Sequence, residues 1–130
     1  MNPEAADLWQ RTVQALATAQ SLSTSDPDAA ASRAYYAAFY AVSAWFTMSG
    51  TTFTRHSAVE AAVHRDLIKT GLSAADTGKA YSFLHNLRST ADYGGRMHVS
   101  SEEATEAVAS AGLIVSEIRR LAAAQGTQLP

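Results

Sequence analysis

The chain has 130 residues, 47% of them hydrophobic and 17% charged, with a formal net charge of -2; this is an ordinary globular composition, large enough for one core and too short for two. So slight an acidic balance excludes a general basic field, and any nucleic acid would have to meet a local patch. Without cysteine there are no disulfides, thiolate metal sites or thiol nucleophiles, and no apolar run approaches the roughly 20 residues of a membrane span.

The N-terminal MNPEAADLW carries acids where a secretory leader would carry basic residues, so we expect a cytoplasmic protein with no membrane association. Asn2 and Pro3 suit a helix start, and Leu8, Thr12, Ala15, Leu16, Ala19 and Leu22 follow at helical spacing, which predicts a first helix over about 3–23. Ser25 or Asp26 caps a second helix over 27–49, with Pro27 at an early position and Gly50 as its stop. This second helix organises the rest. Its stretch SRAYYAAFYAVSAWF puts Tyr35, Phe39, Val42 and Phe46 on one face and Arg33, Tyr36 and Tyr40 in a second row, while small alanines between them let neighbours approach on several sides.

Thr54 is the expected cap of a third helix over about 55–70, buried through Ala58, Val59, Ala62, Val63, Leu67 and Ile68 and ended by Gly71. Ser73 is the expected cap of the fourth, over 73–93, which turns Ala80, Phe83, Leu84, Leu87 and Ala91 inward before Gly94 and Gly95 break it. Ser100 or Ser101 with Glu102 and Glu103 resembles a capping arrangement for a fifth helix over 101–124, and AAQGTQLP reads as a fraying tail. No segment alternates like a strand. The prediction is one all-α domain over 1–130, a four- to five-helix up-and-down bundle.

Polar chemistry concentrates in YSFLHNLRSTADYGGRMH, where His85, Arg88 and Asp92 share a helix face and Tyr93, Arg96 and His98 follow. An arginine offers a fixed fork of donors for phosphate, and a nearby His or Tyr can orient or transfer a proton during phosphodiester cleavage. The competing reading is a solvated face on which Arg88 pairs with Asp92. Arg33 either adds charge to the same groove or stacks on a tyrosine. His56 is either a structural anchor or a site residue, His64 reads as a surface residue, and Tyr35, Tyr36 and Tyr40 read as core with hydroxyls at its edge. The four histidines form no HExxH pair or tight carboxylate grouping, so no metal and no cofactor are expected. P-loop and GxSxG signatures are absent too, and no helix carries the polar row of a DNA recognition helix.

Together SRAYYAAFYAVSAWF, TRHSAVEAAVHRDLIKTG, LRSTADYGG and the closing SSEEATEAVASA resemble the HEPN-domain superfamily, in its compact single-domain prokaryotic form, across nearly the whole chain. The resemblance implies a helical bundle that dimerises, with an RNA or nucleotide cleft at the dimer interface, and a place beside a minimal nucleotidyltransferase in a toxin and antitoxin pair or a defence system. Ribonuclease members carry an Arg, four to six residues, then a His. Arg88 matches that Arg, but after four intervening residues stands Tyr93, preceded by Asp92, and His98 lies beyond the Gly-Gly break. By the same resemblance Tyr93 is an AMP acceptor. Three readings stay open: an RNA or nucleotide binder using Arg88, Asp92 and Tyr93 with Arg33, Tyr36, Tyr40, His56, Arg96 and His98; a helical interaction module without chemistry; and a metal-independent ribonuclease with a degenerate motif.

Overall fold

The computed structural model describes residues 1–130 as five α-helices with no strand. Helix α1 spans Pro3–Leu22, α2 Pro27–Met48, α3 His56–Ala62, α4 Ala75–Tyr93 and α5 Ser101–Ala124. They form an up-and-down bundle in which α2 packs against α1, α4 and α5. None of them is long and apolar enough to cross a membrane.

Local chemistry sets the first two starts. The Asn2 side chain accepts from the Ala5 N–H at 2.7 Å, and that of Asp26 accepts from the Ala29 N–H at 3.2 Å, each satisfying a donor that the first turn leaves orphaned. In α1 the deepest large side chain is Trp9, with Leu8 and Leu16 at its flanks. Along α2 the alanines at 30, 31, 34, 37, 38, 41 and 44 are wholly buried, so backbones from three sides sit close. Enlarging one of them would force helices apart, at about 1–3 kcal/mol. Phe46 ends this core edge-on to Phe53, 5.3 Å away, and Gly50 at φ +86° turns the chain out of the helix.

The third helix differs from the sequence expectation. Neither Thr54 nor the N-cap residue Arg55 caps it with a side chain, and after Ala62 it widens into a π-helical turn over Val63–Ile68, marked by the Lys69 N–H donating to the His64 carbonyl at 2.9 Å. The wider turn keeps Val63 and Leu67 buried and lays His64 over Gly78, where a Cβ would meet the imidazole and Ile68 at 3.0 Å. His64 itself is exposed and bonds Ser82 at 2.8 Å.

Ser73 does not cap α4 either: it is buried one residue before the N-cap position, its N–H donating to the Leu67 carbonyl at 2.8 Å, and α4 starts from Ala74, which makes no side-chain cap. At α5 the reciprocal capping box forms, with Ser100 and Glu103 exchanging bonds of 3.0 Å. The C-terminal segment does not fray. Leu129 packs on the core and Arg119 donates to the Pro130 carbonyl at 3.1 and 3.0 Å.

Candidate functional site

Where α2, the start of α3 and the last turns of α4 meet, polar side chains collect at the edge of the core. On α4, Tyr81, His85, Arg88 and Asp92 recur at four, three and four residues, which aims all of them toward α2 and α3. From α2 come Arg33, Tyr35, Tyr36 and Phe39, and from α3 come His56 and Glu60.

Arg88 is the centre of this group, with only 17% of its side chain exposed. Its Nε donates to Asp92 Oδ2 at 2.9 Å, and its Nη2 donates to the Tyr36 hydroxyl at 3.0 Å and, at a long 3.5 Å, to that of Tyr93. Nη1 donates to no protein group. The ion pair alone would be a helix-surface contact of about 0.3–0.5 kcal/mol. The bond to Tyr36 is different, because it crosses from α4 to α2 and fixes the plane of the fork, and a hydrogen bond to a charged group contributes about 1.5–3 kcal/mol. Around the guanidinium stand the rings of Tyr35 and Tyr36 at 5.5 Å and Tyr93 at 5.4 Å, and Arg33 lies 4.8 Å from the Tyr36 ring. Burial works against the charge on Arg88, but Tyr36, Tyr93 and Asp92 together outweigh it and hold the group protonated.

His56 is locked in place beside this centre. Its ring stacks on Phe39 at 4.4 Å and meets Tyr36 edge-on at 5.8 Å, and its Nδ1 shares a 2.7 Å hydrogen bond with the buried Tyr35 hydroxyl. Burial pushes Tyr35 up to about 12, so it stays a phenol. That bond ties Nδ1 to the core and leaves Nε2 as the ring nitrogen without a protein partner. Burial, then the charge of Arg88 and the neighbouring His85, pull His56 below its ordinary value, so the ring is neutral near pH 7. His56 therefore offers Nε2 of a neutral imidazole to whatever enters beside Arg88. Deeper in, His85 lies 4.0 Å from Glu60, its Nδ1 buried without a partner, as is the Tyr81 hydroxyl, which burial pushes well above its usual value.

Of the residues singled out in the sequence, Arg88, Asp92, Tyr93, Tyr36, Arg33 and His56 meet here, and Tyr40 adjoins them with its ring 5.8 Å from Tyr36. Arg96 and His98 do not join. Gly95, at φ +61°, and the Met97 N–H bond to the Gly94 carbonyl turn the chain away, leaving Arg96 exposed without a hydrogen bond. His98 Nδ1 instead meets Asp28 at 2.7 Å. Sequence reasoning missed the site roles of Tyr35, Glu60 and Tyr81; the signals were the i, i+4 steps from His56 to Glu60 and from Tyr81 to His85. No three His, Asp or Glu side chains converge as metal ligands.

Chemically the site can hold an anion: two guanidiniums flank one tyrosine, an imidazole lies beside them, and a largely exposed phenol, Tyr93, closes the edge. The HEPN domain family matches residues 5–121 of the chain. A UPF0332 protein of Thermotoga maritima is similar as well, 36% identical over 92 residues that cover 71% of this chain and 70% of that one. With the helical bundle and the family match in agreement, the chain belongs to the HEPN domain family, a family associated with nucleases, RNA binding and toxin and antitoxin pairs.

Proposed function

We propose that this chain is a cytoplasmic HEPN protein that binds the phosphate of an RNA or nucleotide at Arg88, in a cleft completed by a second copy. It works in a toxin and antitoxin or defence setting beside a minimal nucleotidyltransferase. The observation that carries this reading is the fork of Arg88: Asp92 and Tyr36 fix its plane while Nη1 is left with no protein partner. Arg33, Tyr36, Tyr40 and His56 support the ligand, and Tyr93, 72% exposed, is open to receive AMP. Arg96 and His98 would join only from a neighbouring copy or a moved loop.

Labelled RNA and ATP titrated into wild type and Arg88→Ala test the reading, with helical content checked by circular dichroism. Binding that falls at least about tenfold in a folded mutant supports it, in keeping with the loss of one charge-assisted contact. Equal affinity, or none in either form, favours the helical interaction module instead. The ribonuclease reading has one observation in its favour, the neutral imidazole beside an arginine. Against it stands the motif itself, since after four intervening residues Arg88 is followed by Tyr93 and not by a histidine. RNA cleavage by wild type that vanishes in both Arg88→Ala and His56→Ala would favour the enzyme.

A further inference from the structure

Arg33 stands at the junction of two concavities with opposite charge. A groove of about 350 Å³ between α1 and α2 is lined by Arg11, Gln14, Ala15, Thr18, Arg33 and Tyr40. The second concavity, about 460 Å³, shares Thr18 and Arg33 with the first and gathers the carboxylates of Asp26, Asp28 and Asp92. Arg33 itself has no hydrogen bond or ion pair with the protein and lies over the same Tyr36 ring as Arg88. A strand leaving Arg88 therefore reaches Arg33 next.

We propose that single-stranded RNA held at Arg88 continues across Arg33 into the α1–α2 groove, where Arg11 and Arg33 take backbone phosphates and Gln14, Thr18 and Tyr40 take a sugar or base. This rests on the RNA-binding reading above and narrows it, since a lone nucleotide has no use for the groove. Charge sets the direction of travel. Asp92 is paired with Arg88, but Asp26 and Asp28 repel a phosphate chain on one side of Arg33, and Asp28 is kept ionised there by the Val99 N–H and His98. On the other side the one nearby carboxylate is Asp7, paired with Arg11 at 3.0 Å, both more than half exposed. Such exposed pairs are weak and give way to a phosphate.

The groove's remaining groups suit nucleosides. The Thr18 hydroxyl donates to the Gln14 carbonyl at 3.0 Å and keeps its lone pairs for an incoming donor. The Gln14 side chain is exposed and makes no hydrogen bond of its own, so both its amide donors and its oxygen are free. Tyr40 supplies a ring on which a base can stack whatever its identity, and the groove volume falls within the range of small-ligand sites.

The test compares a uridylate decamer with a uridine dinucleotide on wild type, Arg11→Ala, Gln14→Glu and Arg88→Ala. Arg11 and Gln14 are exposed, so neither substitution threatens folding. We expect each groove variant to weaken the decamer about tenfold while the dinucleotide stays within about twofold, and Arg11→Ala to reduce the salt slope of decamer binding by about 0.7. Decamer affinity unchanged in both groove variants but lost in Arg88→Ala overturns the track and leaves the Arg88 site standing. Dinucleotide and decamer both indifferent to Arg88→Ala bring down the RNA-binding reading and the track with it.

Discussion

Arg88 and Tyr36 lie 52 positions apart in the chain, yet Nη2 of one donates to the hydroxyl of the other at 3.0 Å and ties the end of α4 to the middle of α2. That bond is a structural tie and a positioning device together, and a single substitution separates the two roles. Tyr36→Phe keeps the ring under both guanidiniums and removes only the acceptor. It should lower stability by about 1.5–3 kcal/mol, because the acceptor removed serves a charged group that is mostly buried. Urea unfolding should show a lower midpoint with an unchanged slope. RNA affinity should fall by less than in Arg88→Lys, which keeps the charge and loses the planar fork; the reverse order would mean that the fork is not what binds.

His56 predicts a pH dependence whose sign follows from its surroundings. Tyr35, Tyr36 and Phe39 face it from α2, and His85 and Arg88 face it from α4. Its folded value is lowered below the ordinary 6.5, first by burial, so the unfolded chain takes up the proton first as pH falls. The stability from neutral His56 is thus present above pH 6.5 and is lost as pH drops below it toward the folded value. Thermal melts from pH 8 down to about pH 5 should decline. His56→Gln should flatten that decline, and an unaltered slope in the variant would assign it to another group.

Much of this architecture was legible because its signals are local. Asn2, Asp26 and the Ser100–Glu103 pair each act within one turn, and the alanine-rich second helix announces contact on several sides. The third helix differs from expectation because nothing in VHRDLI distinguishes a π-helical turn from an α-helical one; the wider turn lays His64 and Ile68 over Gly78, a contact no local signal announces. Ser73 looked like a cap because caps are short polar residues, but tertiary packing buried it instead. At the site, the face of Arg88 and Asp92 could be read from their spacing. The link to Tyr36 and the pairing of Tyr35 with His56 could not, being contacts across 52 and 21 positions. Nearness in sequence misled for Arg96 and His98, since two glycines redirect the chain before them.

Gly94 ends α4 directly after Tyr93, and space rather than dihedral angle demands the glycine. At φ -74° any residue is at ease, but a Cβ would lie 2.7 Å from the Met97 carbonyl oxygen and closer still to that of Thr90. Backbone atoms cannot swing aside as a side chain would. Gly94→Ala should therefore cost about 1–3 kcal/mol, as overpacking does. A midpoint in thermal melting equal to wild type would show that the turn relaxes freely. Gly95→Ala puts a Cβ at φ +61° in open space, so its cost should be the left-handed strain alone, about 1–2 kcal/mol.

Asp28 holds the far end of the same loop with both carboxylate oxygens: Oδ1 accepts from the Val99 N–H and Oδ2 meets His98 Nδ1, each at 2.7 Å. Val99 is buried, so removing its acceptor leaves a backbone donor unsatisfied, and Asp28→Ala should cost about 1–3 kcal/mol. Asp28→Asn keeps one oxygen for Val99 and should cost less. The Val99 bond, then His98, hold the Asp28 carboxyl below its ordinary 3.8. Its contribution is accordingly present above pH 3.8 and is lost as pH falls through the lower folded value, an acid limb that Asp28→Asn should abolish. Hydrogen exchange gives the local readout: amides from Gly95 to Val99 should exchange faster in Asp28→Ala while those of α2 stay protected. Equal acceleration in both places would mean that Asp28 supports the whole bundle rather than the loop, and the loop's position beside Tyr93 would need another anchor.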